Sequence, residues 1–248
     1  CKFPADGVMD GVAEGAMDLK DEQWSIVEPL IPKPHRRSDG RGRPWRDNRE
    51  VLHGILWVLR TGAPWQDVPD RYPSPATCHR RFQLWVRGGV FGKILHALAE
   101  DLHDRGKLDL SECFIDATFV GAKKGGFVWA DEARQGFKLM AVADRHGLPI
   151  AVDVASASPA EVRLVISTLE ARFIPELPER LIGDKAYDSD PLAEELAAGG
   201  VELIAPNRRN RRVKTQDGRP LRRYRRRWKV ERLFAWLHNF RRLVNRWE

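Results

Sequence analysis

Apolar residues in the first hundred positions recur at helical spacing. Trp24, Val27 and Leu30 follow Asp21, which is placed to cap them, and Pro32 and Pro34 end the run. After a polar, Gly- and Pro-rich stretch over 32–44, Asp47 opens NREVLHGILWVLRTG, where Val51, Ile55, Val58 and Leu59 share a face. Ser74 is predicted to cap a third helix with Pro75 at its first position, where a missing N–H is harmless. Cys78, Phe82 and Trp85 form its buried side, and Thr77, Arg80 and Arg81 its outward one. A fourth helix is predicted from Phe91 to Arg105. A tight turn before a short helix with exposed Thr and Arg is compatible with a helix-turn-helix reader of DNA, and equally with a small helical bundle.

Beyond Asp109 the period changes. CFIDATFV (113–120), LMAVAD (139–144), LPIAVDVA (148–155), RLIGD (180–184) and VELIA (201–205) are short apolar or β-branched runs of strand type. Helices are predicted to start at Ser158-Pro159 and at Asp190-Pro191, and a long one to run from about Pro220 to Trp247. Three consecutive strands followed by alternating helices and strands describe an α/β fold, a mixed sheet flanked by helices and preceded by an all-α region. The boundary between the two is expected near 105–112.

Composition narrows the classes. The 248 residues hold 42% hydrophobic and 31% charged side chains, enough for a real core under a solvated surface. No apolar run approaches the roughly 18 residues of a membrane span, and the N-terminus lacks a basic start followed by an apolar stretch. Cys1, Cys78 and Cys113 stand far apart with no CxxC, which argues for a reducing, cytoplasmic setting and against zinc. The chain opens on Cys1, so translation is expected to begin at Met17 or Met9, with residues 1–16 as read-through or appended sequence. The net charge of +7 is unevenly placed: Asn207–Arg232 carries eleven Arg and two Lys against Asp217 and Glu231, a local +11, which leaves the rest at −4. Such a patch reads as polyanion-binding or as a solvated basic segment.

Three acids occupy unusual places. Asp116 lies inside an apolar strand on the face of Phe114 and Thr118, Asp184 ends a strand, and Glu231 borders the stripe Val230, Leu233, Phe234, Leu237, Phe240 and Val244. A buried carboxylate needs a cation, either Arg or Lys or a hard metal ion such as Mg²⁺ or Mn²⁺. Asp116 alone leaves both readings open, Asp184 alone reads as a cap or loop aspartate, and Glu231 alone reads as a partner for arginine.

Taken together, these segments resemble a family, the bacterial insertion-sequence transposases with an RNase H-like core and a DDE triad. The signature Y-x2-R-x3-E-x6-K is matched by Tyr224, Arg227 and Glu231, with His238 where the family has Lys. FIDATFV around Asp116, LIGDKAYDSD around Asp184 and GRGRPWRDNREVLHGILWVLRTGAPW near the N-terminus carry the rest. The chain also stops at Glu248, where relatives usually continue. The resemblance implies a helical, helix-turn-helix-like DNA-binding domain over 17–108 and an RNase H-like DDE domain over 109–248. It implies metal-dependent strand cleavage and strand transfer at insertion-sequence ends, with Asp116, Asp184 and Glu231 as catalytic carboxylates holding two Mg²⁺ or Mn²⁺ ions. Tyr224, Arg227, His238, Arg222, Arg223, Arg225 and Arg226, together with Thr77, Arg80 and Arg81, are the expected DNA contacts. The partners implied are terminal inverted repeats and target DNA, bound by a homodimer or higher oligomer at the nucleoid. The alternatives are a catalytically impaired relative that only binds DNA and, more remotely, a basic RNA-binding protein.

Overall fold

The computed structural model describes residues 18–33, 44–121, 136–213, 218 and 220–240. The residues expected to be appended, most of the 32–44 stretch, residues 122–135 and the positions of Val244 and Trp247 lie outside them. The chain divides into two compact units, Cys1–Ile94 and Leu95–Glu248.

The first unit is helical. Helix α1 spans Asp21–Val27 and tightens into a 3-10 turn over Glu28–Leu30 at Pro29. Its cap is Lys20 rather than Asp21: the Lys20 N–H donates to Gln23 Oε1 at 3.0 Å, while Asp21 accepts from Arg49 Nη1 at 2.7 Å. Helix α2, Asn48–Thr61, is capped as its sequence predicts, with Asp47 accepting from the N–H groups of Arg49 (2.8 Å) and Glu50 (3.1 Å). Gly62, at φ 69°, ends it in the left-handed conformation that glycine adopts without strain. Helix α3 (Pro75–Arg87) follows, and α4 (Val90–Asp104) starts in this unit and continues past Ile94 into the second. Val27, Val51, Leu52, Ile55, Cys78, Trp85 and Val90 form the core. At Gly54 helix α2 comes so close to its neighbours that an added Cβ would lie 2.9 Å from Cys78 Sγ and 3.3 Å from Tyr72 Cβ.

The second unit holds one five-stranded sheet in the order β3-β2-β1-β4-β5, made of β1 (Cys113–Gly121), β2 (Gly136–Ala143), β3 (Pro149–Ser156), β4 (Arg180–Ile182) and β5 (Glu202–Ile204). The first three strands are antiparallel hairpin neighbours, and β4 and β5 run parallel to β1. This is the mixed sheet flanked by helices that the sequence predicts. Side chains alternate faces as period-two geometry demands. Cys113, Ile115, Met140, Val142, Leu181 and Leu203 pack with α5 (Val165–Glu170) and α6 (Asp190–Ala198). Phe114, Ala141, Ala143, Ile182 and Ile204 pack with Val230, Leu233 and Phe234 of α7 (Trp228–Leu237). No helix among the described residues is long and apolar enough to cross a membrane.

Two helix expectations need correction. The element after β3 opens as a 3-10 turn over Glu161–Leu164 and becomes α-helical only at Val165. The long C-terminal helix is not continuous either: Pro220–Arg226 is a 3-10 segment and α7 begins at Trp228. In a 3-10 helix residues i and i+3 eclipse. That lets Arg223 (Nε, 2.8 Å) and Arg226 (Nη2, 2.9 Å) both donate to Glu112 Oε1, a carboxylate only 7% exposed.

Candidate active site

Alternation along β1 puts Asp116 on the same sheet face as Phe114, under α7. Its Oδ1 accepts from the Ala117 N–H at 3.0 Å and its Oδ2 from Arg227 Nη1 at 2.9 Å. Burial pushes the Asp116 carboxyl above its ordinary pKa. Arg227 pulls the other way, and the charges of Asp184 and Glu161 push up again. Asp184 follows β4 through Gly183 and caps the 3-10 turn Lys185–Tyr187, accepting from the Ala186 N–H at 2.7 Å.

Glu231 stands in the first turn of α7 and accepts from Arg227 Nη2 at 2.8 Å, with its side chain 54% exposed. One guanidinium therefore joins Asp116 to Glu231. Burial alone would lower the pKa of Arg227, but Asp116, Tyr224, Glu231 and Asp184 together raise it, so the three expected acids all act on one cation. Arg227 is the N-cap residue of α7 and does not lie on a continuous helical face with Tyr224, yet their 3-10 spacing still brings the guanidinium 5.7 Å from the Tyr224 ring centroid. His238, at the end of α7, places Nε2 3.4 Å from Thr118 Oγ1, two residues along β1 from Asp116.

Much of the +11 segment is held by the fold. Arg208 donates to the carbonyls of Lys185 (3.2 Å) and Ala186 (2.7 Å), and Arg211 pairs with Asp188 and Asp190. Lys229 and Arg232 donate to the carbonyls of Arg145 and His146 in the β2–β3 turn. Arg223 and Arg226 share Glu112. Arg209, Arg212, Arg222 and Arg225 are exposed, with no ion-pair partner among the described residues.

In the helical unit the expectation of an outward Arg81 is overturned. Arg81 is 5% exposed, donates to Asn48 Oδ1 at 2.6 Å, and stacks 3.8 Å from the Trp45 ring centroid. The indole and amide receive the guanidinium, so its charge does not force it into water. Arg80 is exposed, and Thr77 is half-buried with Oγ1 2.9 Å from Ser74 Oγ. Trp45, Arg46, Thr77, Arg80, Arg81 and Arg87 line a groove of about 500 Å³. The aromatic wall of this groove is Trp45, absent from the residues expected there; a tryptophan between Arg43 and Arg46 in RPWR is the signal that finds it.

Asp116 thus sits within β1 and Asp184 just past the end of β4, its parallel neighbour in the sheet. Residues 107–248, more than half of the chain, match the family model for the transposase DDE domain, and residues 19–95 match that for a transposase of the IS4/5 family. The chain belongs to the DDE transposases. An uncharacterized 16.2 kDa protein of insertion element IS402 from Burkholderia cepacia is 36% identical over 111 residues, 44% of this chain and 76% of that protein. A protein described as a transposase for IS402, also from Burkholderia cepacia, is 34% identical over 144 residues, 54% of this chain and 64% of that protein. The piggyBac transposase in a synaptic complex with hairpin DNA gives a TM-score of 0.36 at 14% identity, over 79% of this chain and 52% of that one. The chain thus spans just under two thirds of the IS402 transposase.

The family implies dependence on a divalent metal. Among the described residues no three His, Cys, Asp or Glu side chains are drawn together closely enough to hold an ion. The donor chemistry nevertheless fits: Asp116, Asp184 and Glu231 offer hard carboxylate oxygens, and Asp116 and Glu231 already hold a positive group, the Arg227 guanidinium.

Proposed function

We propose that this chain cuts DNA at insertion-sequence ends and joins the freed 3′ end to target DNA, with Asp116, Asp184 and Glu231 as the metal-binding carboxylates. The observation that carries this reading is the Arg227 bridge, which gathers acids from β1 and α7 around one cation beside the end of β4. The ions proposed are two Mg²⁺ or Mn²⁺, which when bound supply Lewis-acid charge for in-line displacement at phosphorus.

The rest of the proposal concerns the chain's own groups. Arg227 bridges Asp116 and Glu231 while DNA is absent, and its planar fork suits a phosphate equally well. Its transfer from carboxylate to phosphate would couple arrival of the substrate to release of Asp116 and Glu231. Tyr224 and His238 flank the same face and contact the strand near the scissile bond. Exposed Arg222 and Arg225 neutralise backbone phosphates at a distance, and Arg223 and Arg226 hold the segment in place. The groove of the helical unit, with Arg46, Arg80 and Arg87 around the Trp45–Arg81 stack, binds the terminal repeat. A homodimer or higher oligomer on DNA would pair two ends.

The test is cleavage of a labelled duplex carrying the inverted repeats that flank the reading frame, with Mg²⁺ or Mn²⁺. Nicking at the repeat end is expected from the wild type and is lost in Asp116→Asn with binding retained. Equal cutting by the two proteins would exclude the site.

A further inference from the structure

The groove of the helical unit contains a buried cation that no acid neutralises. Arg81 is 5% exposed, yet no carboxylate pairs with it among the described residues. Its guanidinium donates to Asn48 Oδ1 at 2.6 Å and lies over the Trp45 ring, 3.8 Å from the centroid. Arg211 and Arg227 are less buried, and each pairs with two acids. A buried charge is costly without an opposite one, and an amide and an indole face meet that cost only in part. The groove therefore favours a ligand that brings negative charge.

The lining says which kind of anion. It holds four arginines, Arg46, Arg80, Arg81 and Arg87, and no acid. Arg46, Arg80 and Arg87 are exposed, with no ion-pair partner among the described residues. Trp45 has Arg81 over one face and is still 48% exposed, which leaves its other face for a ligand. Leu84, 51% exposed, adds an apolar wall, and Thr77 and Gln83 add hydrogen-bonding groups. A free aromatic face, an apolar wall, polar groups for an edge and cations for phosphates together suit an unstacked nucleobase. A base inside the duplex shows the groove only its edge, so it cannot use the face of Trp45. The volume of about 500 Å³ is that of a small-ligand pocket.

We propose that this groove takes one unstacked nucleobase of the DNA, stacked on the open face of Trp45. Arg80 and Arg87 hold the phosphates beside it, and Arg81 is a positioning residue that fixes the indole. The inference rests on the reading that the helical unit binds the terminal repeat, and it deepens that reading: the unit holds an extruded or single-stranded base, beyond any contact with duplex edges.

The test compares the affinity of the full chain for a thymidine oligonucleotide with that for a sugar–phosphate oligomer of equal length and charge that lacks bases. The wild type is expected to prefer the thymidine strand. Trp45→Ala should weaken binding of that strand by about fivefold or more, the loss of one base–aromatic stack, and bind the baseless strand as before. Trp45→Phe keeps a ring and should retain most of the preference. If Trp45→Ala fails to fold, a thymidine strand carrying 5-iodouracil and irradiated on the wild type decides instead. A cross-link at Trp45 is expected, and cross-links confined to other residues overturn the proposal. Replacing Arg80 and Arg87 by alanine, assayed on a duplex carrying the flanking inverted repeats, separates the two readings. If that variant binds the duplex more weakly while Trp45→Ala changes both strands alike or neither, the base pocket falls and repeat binding stands. If that variant binds the duplex like the wild type, the groove does not hold the repeat and both fall.

Discussion

Asp116 on β1 and Glu231 on α7 are held by opposite nitrogens of one guanidinium, at 2.9 and 2.8 Å from Arg227. Strand and helix are therefore locked by charge at the point where the proposed chemistry needs both acids. Arg227 is the structural keystone of the site as well as its resident cation. Lysine cannot replace it, because a single ammonium lacks the planar fork that spans two carboxylates.

Arg227→Ala should destabilise the second unit by about 1–3 kcal/mol, the cost of leaving the half-buried Asp116 carboxylate without its charged donor. Arg227→Lys should recover only part of this. Urea unfolding of the three proteins checks the order, and an alanine variant as stable as the wild type would show that the bridge contributes nothing.

Glu231→Gln keeps shape and removes charge. Strand cleavage with Mg²⁺ or Mn²⁺ should be lost while DNA binding persists, and stability should change little because the Glu231 side chain is 54% exposed. Cleavage at the wild-type rate would remove Glu231 from the acid set.

How far the sequence can be read depends on which force decides each element. The five strands are legible because short apolar runs between turn residues have no helical alternative. The break at Arg227 is not, since an arginine run at helical spacing looks helical until Glu112, far away in sequence, is seen to receive both Arg223 and Arg226. Arg81 is a subtler case: it lies three residues after Cys78 and four before Trp85, so helical spacing assigns it to the buried stripe while its charge argues outward. The spacing wins because Trp45 and Asn48 accept the guanidinium.

Gly54→Ala should destabilise the helical unit by about 1–3 kcal/mol, since the new methyl meets Cys78 Sγ at 2.9 Å in a packed core. The gain in helix propensity, about 1 kcal/mol, offsets this only in part. A Tm at or above the wild-type value would mean that α2 and α3 can separate freely.

Asp109 gives a pH dependence whose sign is fixed. The Ser111 hydroxyl, donating at 2.5 Å, is the main cause of its lowered pKa, and the Ser111 N–H and Arg145 act in the same direction against burial. A depressed folded pKa contributes stability above the unfolded value of about 3.9, and that contribution is lost as pH falls through the folded value. Asp109→Asn should therefore be less stable than the wild type at neutral pH, with the gap closing below about pH 4. Urea midpoints measured from pH 7 to pH 2 check this, and a gap that persists unchanged to pH 2 would show that the loss is not linked to the charge.

The basic segment separates into two kinds of arginine, and salt dependence distinguishes them. Among the described residues Arg222 and Arg225 are exposed without an ion-pair partner, whereas Arg223 and Arg226 are bound to Glu112, whose own Oε2 is buried and unpartnered there. Each phosphate contact on duplex DNA adds about 0.9 to the slope of log affinity against log salt. Replacing Arg222 and Arg225 by alanine should flatten that slope by up to about 1.8 and leave stability unchanged. Replacing Arg223 and Arg226 should barely change the slope of the folded protein but should lower its Tm, because a carboxylate only 7% exposed loses both cations. The reverse pattern, a flattened slope from the second pair and none from the first, would mean that Glu112 releases its arginines to DNA, so that the ion pair belongs to the DNA-free state alone.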